Sequence, residues 1–140
     1  MINNNQNPNY DESWGKPIHV YTRTQALEDG VLVDVTETAK EAGFKIPVAV
    51  TDAIWHDYIE WENVKNKKAI QNTEGRLWDV LSMLRFACNR FKNESEIMYR
   101  LYVVSRDRQA IQPNLVTLKA VIGGGDNGEP VITIMLPNED

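Results

Sequence analysis

Cysteine occurs once in the 140 residues, as Cys88, and histidine twice, as His19 and His56. A single thiol rules out an intramolecular disulfide, and two imidazoles make a poor basis for a zinc site. No apolar run approaches the ~18 residues of a membrane-spanning helix. The opening MINNNQNPNY has neither the basic nor the apolar region of a secretory signal. The expected compartment is the cytoplasm, without membrane contact. Basic residues are also in deficit. The formal net charge is −5, whereas nucleic-acid binders usually carry a Lys and Arg surplus that pairs with phosphates. Nucleic acid is therefore a disfavoured partner.

What remains is material for one domain. A chain of this length buries roughly 65 to 70% of its unfolded surface, enough for a core without staples. Residues 1–17 are rich in Asn and Pro and lack periodicity, which predicts a flexible tail with Trp14 as its one docking residue. Residues 18–140 read as a single α+β domain. In TRTQALEDG, Thr22 and Gln25 have capping-box spacing and Gly30 is a stop, so a short helix is expected. VLVDV follows as a strand. TETAKEAG is a second short helix with Thr36 as its cap, and Pro47 confines the extended FKIPVAV to an edge or a strand's beginning. Thr51 or Asp52 caps a short aromatic helix, AIWHDYIEWEN, and VKNKKAIQN is a polar connection.

The longest periodic stretch runs from about Thr73 to Phe91, where Leu77, Leu81, Leu84, Cys88 and Phe91 form one stripe widened by Trp78, Val80 and Ala87. It reads as the long central helix, capped by Thr73. After residue 95 the period becomes two, with Ile97, Tyr99, Leu101 and Val103 set against Met98, Arg100, Tyr102 and Val104. Strands are expected near 96–104, 115–122 and 130–136. The fold class is thus α+β: short N-terminal helices and strand, a long central helix, and a C-terminal three-stranded antiparallel meander.

Several patterns suggest chemistry and are better explained by structure. Gly123, Gly125 and Gly128 spell G-x-G-x-x-G, but the next element is the strand PVITIML. The helix N-terminus that would hold a pyrophosphate is missing. These glycines read as a hairpin turn, with Gly124 to Gly128 supplying positive φ angles and Asp126 and Asn127 as turn formers. Asp52, His56 and Glu60 share a helix face without making a good metal set. Cys88 lies on the apolar stripe as inert filling. Trp55, Tyr58, Trp61 and Trp78 fall at the helical spacing of core residues. No catalytic residue, metal or cofactor is therefore expected.

Charge is unevenly spread. Residues 63–92 carry +5 while residues 31–62 carry −5. Cations near a helix C-terminus are favoured by its dipole, so the basic segment has a structural explanation as well as a functional one. Within it, Arg85, Asn89, Arg90 and Lys92 form the one strip that stands out.

The runs YTRTQALEDGVLVDVTETAKEAGFKIPVAVTDAIW, GRLWDVLSMLRFA and LVTLKAVIGGGDNGEPVITIMLPNED resemble a family of small uncharacterised bacterial proteins carried on plasmids, phages and other mobile elements, over about residues 18–140. The resemblance implies a mobile-element setting and no particular chemistry. Two functional readings are open. The favoured one is a non-enzymatic interaction protein that binds a macromolecule, protein before nucleic acid, through Arg85, Asn89, Arg90 and Lys92 or through the loop from Asp126 to Glu129. The alternative is a hydrolase or nuclease that gathers scattered Asp and Glu side chains around a divalent metal.

Overall fold

The computed structural model describes residues 10–11, 16–17 and 20–140. In chain order the elements are β1 (Tyr10–Asp11), β2 (Lys16–Pro17), α1 (Arg23–Glu28), β3 (Leu32–Asp34), α2 (Thr36–Glu41), β4 (Val48–Thr51) and α3 (Asp52–Ile54), which runs straight into a π-helical turn (Trp55–Ile59). Beyond these come α4 (Thr73–Arg90), β5 (Glu96–Val103), β6 (Asn114–Gly124) and β7 (Pro130–Met135). β1 and β2 pair antiparallel. The rest of the expected 1–17 tail, Trp14 included, lies outside the described residues.

The class is α+β, but the expected three-stranded antiparallel meander is not the sheet that forms. The main sheet has five strands in the order β3-β4-β7-β6-β5 and is mixed, because β4 runs parallel to β7 with Val48 opposite Ile132 and Val50 opposite Ile134. The cause lies in β4 and β7. All four β4 residues are buried, and β7 buries Val131, Ile132, Ile134 and Met135. Strands covered on both faces lose the apolar-polar alternation by which a strand is recognised. Pro47 stands just before β4, and its carbonyl accepts the Ile132 N–H at 2.9 Å, joining the two strands where they meet.

One face of the sheet carries the core. Val48, Val50, Leu118, Ala120, Ile132 and Ile134 join Ile97, Tyr99, Leu101 and Val103 of β5. Onto them pack Ala39 of α2, Ile54 and Ile59, and Leu77, Val80, Leu81, Leu84 and Ala87 of α4. Tyr99 is buried within this layer and its hydroxyl donates to the Val80 carbonyl at 3.0 Å, tying β5 to the middle of α4. Cys88 is half-buried, and burial pushes its thiol above the usual range. Phe91, by contrast, is exposed instead of closing the stripe, and so is Trp78.

Caps differ from expectation by one residue in two places. Asn72, not Thr73, caps α4, its side chain accepting from the Gly75 N–H at 2.6 Å. Thr36 is the first residue of α2 and not its cap, and Asp34 Oδ1 accepts its N–H at 3.1 Å. Thr22 and Gln25 form the capping box of α1, and Thr51 caps α3.

Candidate functional site

The glycine-rich segment joins antiparallel β6 and β7, with the Gly125 N–H bonded to the Glu129 carbonyl and the Gly128 N–H to the Gly125 carbonyl. Only Gly128, at φ +80, supplies a positive φ between Gly124 and Gly128, so that expectation is corrected to one position. Asp126 is not a free turn residue. Its carboxylate accepts the N–H of Arg23 at 2.8 Å, the N–H of Thr24 at 3.0 Å and the Thr24 hydroxyl at 2.7 Å, so the hairpin tip caps α1 from a distance. The Thr24 hydroxyl first, and then the two amides, hold the Asp126 carboxyl below the usual carboxylate range. Glu129 accepts the Asn127 N–H at 2.9 Å. Both carboxylates of the predicted loop site therefore serve the fold.

A hollow of about 330 Å³ beside this loop is lined by Arg23, Asp34, Glu37, Asp126 and Glu129 among others. Its one cation is engaged, since Arg23 donates to Thr133 Oγ1 at 2.7 Å and to the Ile132 carbonyl at 3.0 Å. Among the described residues no group of three or more His, Cys, Asp or Glu side chains is placed to hold a metal ion. His56 Nδ1 lies 3.8 Å from Glu60, while Asp52 joins no such cluster.

The basic strip is divided by α4. Arg85 donates to Asn89 Oδ1 at 2.8 Å, and both line a small hollow with Ala42 and Ser82. Arg90 lines a groove on another side of the helix, with its guanidinium 5.6 Å from the centre of the Phe91 ring. Lys92 is exposed beyond the helix end. The positive charge of residues 63–92 is dispersed as well, because Arg76 is buried while Lys65, Lys67 and Lys68 are exposed on the preceding loop.

Three polar residues missed in the sequence organise the end of the sheet. The π-helical turn and the chain after it leave carbonyls without helical partners. Arg106 collects them, donating to the carbonyls of His56, Glu60 and Glu62 at 2.9 to 3.0 Å. Arg76 donates to the carbonyls of Ile59 and Val104 and lies 4.7 Å from the Trp61 ring centre. Desolvation, and then the neighbouring Arg106 charge, push Arg76 down to about 10, which leaves it charged at neutral pH. Asn66, fully enclosed, donates to the carbonyls of Ser105 and Ala110 and accepts the N–H groups of Lys68 and Ala69. No periodicity marks such residues, because each is defined by the distant carbonyls it meets.

The feature left unabsorbed by the fold is the β5 edge. β5 is the last strand of the sheet, and its outer side pairs with no strand among the described residues. The Ile122 N–H donates to the Ser95 carbonyl at 2.8 Å, and the register alternates from there. Ile97, Tyr99, Leu101 and Val103 therefore turn their backbone groups toward β6, while Glu96, Met98, Arg100 and Tyr102 turn theirs outward. Beside this edge lies an open groove of about 580 Å³, walled by Met83, Phe86, Arg90 and Phe91 of the α4 end and by Met98, Arg100, Tyr102 and Leu115 of the sheet. Phe86 and Tyr102 are each 66% exposed. Part of the signal was present in the sequence: the exposed set of β5 keeps Met98 and Tyr102 between the charges of Glu96 and Arg100, more apolar surface than one buried face requires.

No helix among the described residues is long and apolar enough to cross a membrane. Neither the curated proteins nor the solved structures contain a match to this chain. A family of unknown function, DUF6573, matches residues 13–140, and the chain belongs to that family.

Proposed function

We propose that this chain is a protein-binding module that takes a polypeptide strand at the β5 edge and seats its side chains in the adjoining groove. The observation that carries this reading is the coincidence of an eight-residue edge, paired by no strand among the described residues, with exposed apolar side chains on both of its flanks. Edge strands are ordinarily blunted by shortness, proline or inward charge. The opposite edge, β3, is three residues long, whereas β5 has no proline. Strand addition uses what β5 offers, main-chain bonds for affinity and flanking pockets for selectivity. Of the predicted strip, Arg90 borders this surface and draws acidic segments toward it, and Arg85 and Asn89 lie elsewhere. The resemblance to mobile-element proteins supports placing the module among accessory proteins that act by contact with a host or replication component.

Met98→Pro tests the reading, because it deletes an outward N–H without removing a bond from the β5–β6 ladder. Polypeptide captured by the native chain, whether from lysate or as a tagged second copy of itself, should be lost with the variant while its thermal melt stays close to native. Undiminished capture by a folded variant would overturn the proposal.

A further inference from the structure

We infer that the strand taken at this edge is β5 of a second copy of the chain, paired antiparallel about a two-fold axis that passes through Met98. This rests on the strand-addition reading and names its occupant. Register and charge both favour it. Glu96 and Arg100 lie on the same exposed face of β5, two positions either side of Met98, and neither makes an ion pair among the described residues. Two-fold pairing centred on Met98 sets Glu96 of each copy opposite Arg100 of the other and Met98 opposite Met98. All three are outward-pointing positions, which can exchange backbone hydrogen bonds directly.

Other registers within the strand lose this match. A centre at Tyr99 sets Glu96 against Tyr102 and Met98 against Arg100. A centre at Arg100 opposes two like charges, which is unfavourable. The Met98 register thus turns the one cation that would guard this edge into a self-complementary element, as a two-fold contact requires. The eight-residue edge spans about 27 Å. Phe86 lies on the helix side of the seam and Met98 on the opposite face of the strand, so the pairing covers apolar surface on both sides.

Sedimentation equilibrium of the full-length chain, native and charge-reversed, tests this. The native chain should dimerise. Glu96→Arg alone and Arg100→Glu alone should each weaken self-association at least about tenfold, because each places two like-charged pairs across the seam. An equimolar mixture of the two single variants should recover dimer, since both seam pairs are then opposite in sign. A chain that stays monomeric overturns the inference, and so does a dimer indifferent to both reversals. A monomer whose Met98, Arg100 and Tyr102 amides resist hydrogen exchange also overturns it, by showing the chain's own residues seated on the edge. A monomer that still captures another protein in a Met98→Pro-sensitive way sinks self-pairing and leaves strand addition standing.

Discussion

Single carboxylates and amides in this protein are committed to joining segments distant in the chain, and Asp126 is the clearest case. It receives three hydrogen bonds from Arg23 and Thr24, over a hundred residues away, and these hold its carboxyl below the usual range. A depressed folded-state pKa contributes stability that is present above the unfolded value, near ~3.9, and is lost as the pH falls through the folded value. Asp126→Asn should accordingly be less stable than the native chain at pH 7. The difference should shrink below about pH 4 and vanish once the native carboxyl is protonated. Denaturant melts at a series of pH values check this, and a gap that does not change with pH would show that the charge is immaterial.

Among the elements, α4 carries the largest share of the core, and its buried stripe is Leu77, Val80, Leu81, Leu84 and Ala87 with Arg76 at one end. Leu81 is fully buried between α4 and the sheet. Leu81→Ala should cost about 2 to 5 kcal/mol through lost transfer energy and a residual cavity. A neutral result in a denaturant melt would mean that the stripe is misplaced. Phe86 on the same helix and Phe91 at its C-cap lie outside the buried stripe and border the groove. Their exposure is the element's second surface, and truncating them should leave stability largely unchanged while it weakens any contact at β5.

On the scale of the whole molecule, two irregular stretches, 60–72 and 104–113, are held to the core and to each other by Asn66, Arg76 and Arg106 and not by apolar packing alone. Asn66 is the centre of this latch, with four side-chain hydrogen bonds to the two stretches. Asn66→Ala removes all four bonds at once and leaves part-buried backbone groups of both stretches without that partner, a loss of about 1 kcal/mol for each bond that water does not replace. Trypsin should then cut after Lys67, Lys68 and Arg108 at least about tenfold faster, because cleavage follows the population of the opened state. Unchanged cleavage would show that the two stretches are held by something else.

Local chemistry determined much of this protein before any tertiary contact formed. The capping box at Thr22 and Gln25, the length of α4 and the alternation of β5 arise from the spacing of side chains along one segment, and they were legible for that reason. The neighbours of each segment are a different matter. A parallel pairing of β4 with β7 joins residues more than eighty positions apart, and strands buried on both faces carry no alternation to announce it. The candidate site divides along the same line. Arg85, Asn89, Arg90 and Lys92 can be picked out as polar residues of the second half of the helix and its end, and the i,i+4 spacing already pairs Arg85 with Asn89, but only the packing of α4 against β5 decides that Arg90 borders a groove. Asp126 reads as a turn former until the fold supplies Arg23 and Thr24 as its partners, whereas the bond of Glu129 to the Asn127 amide is local to the loop. That β5 is an edge at all is a property of strand order, which is set by the burial of the whole sheet and is written in no single stretch of the chain.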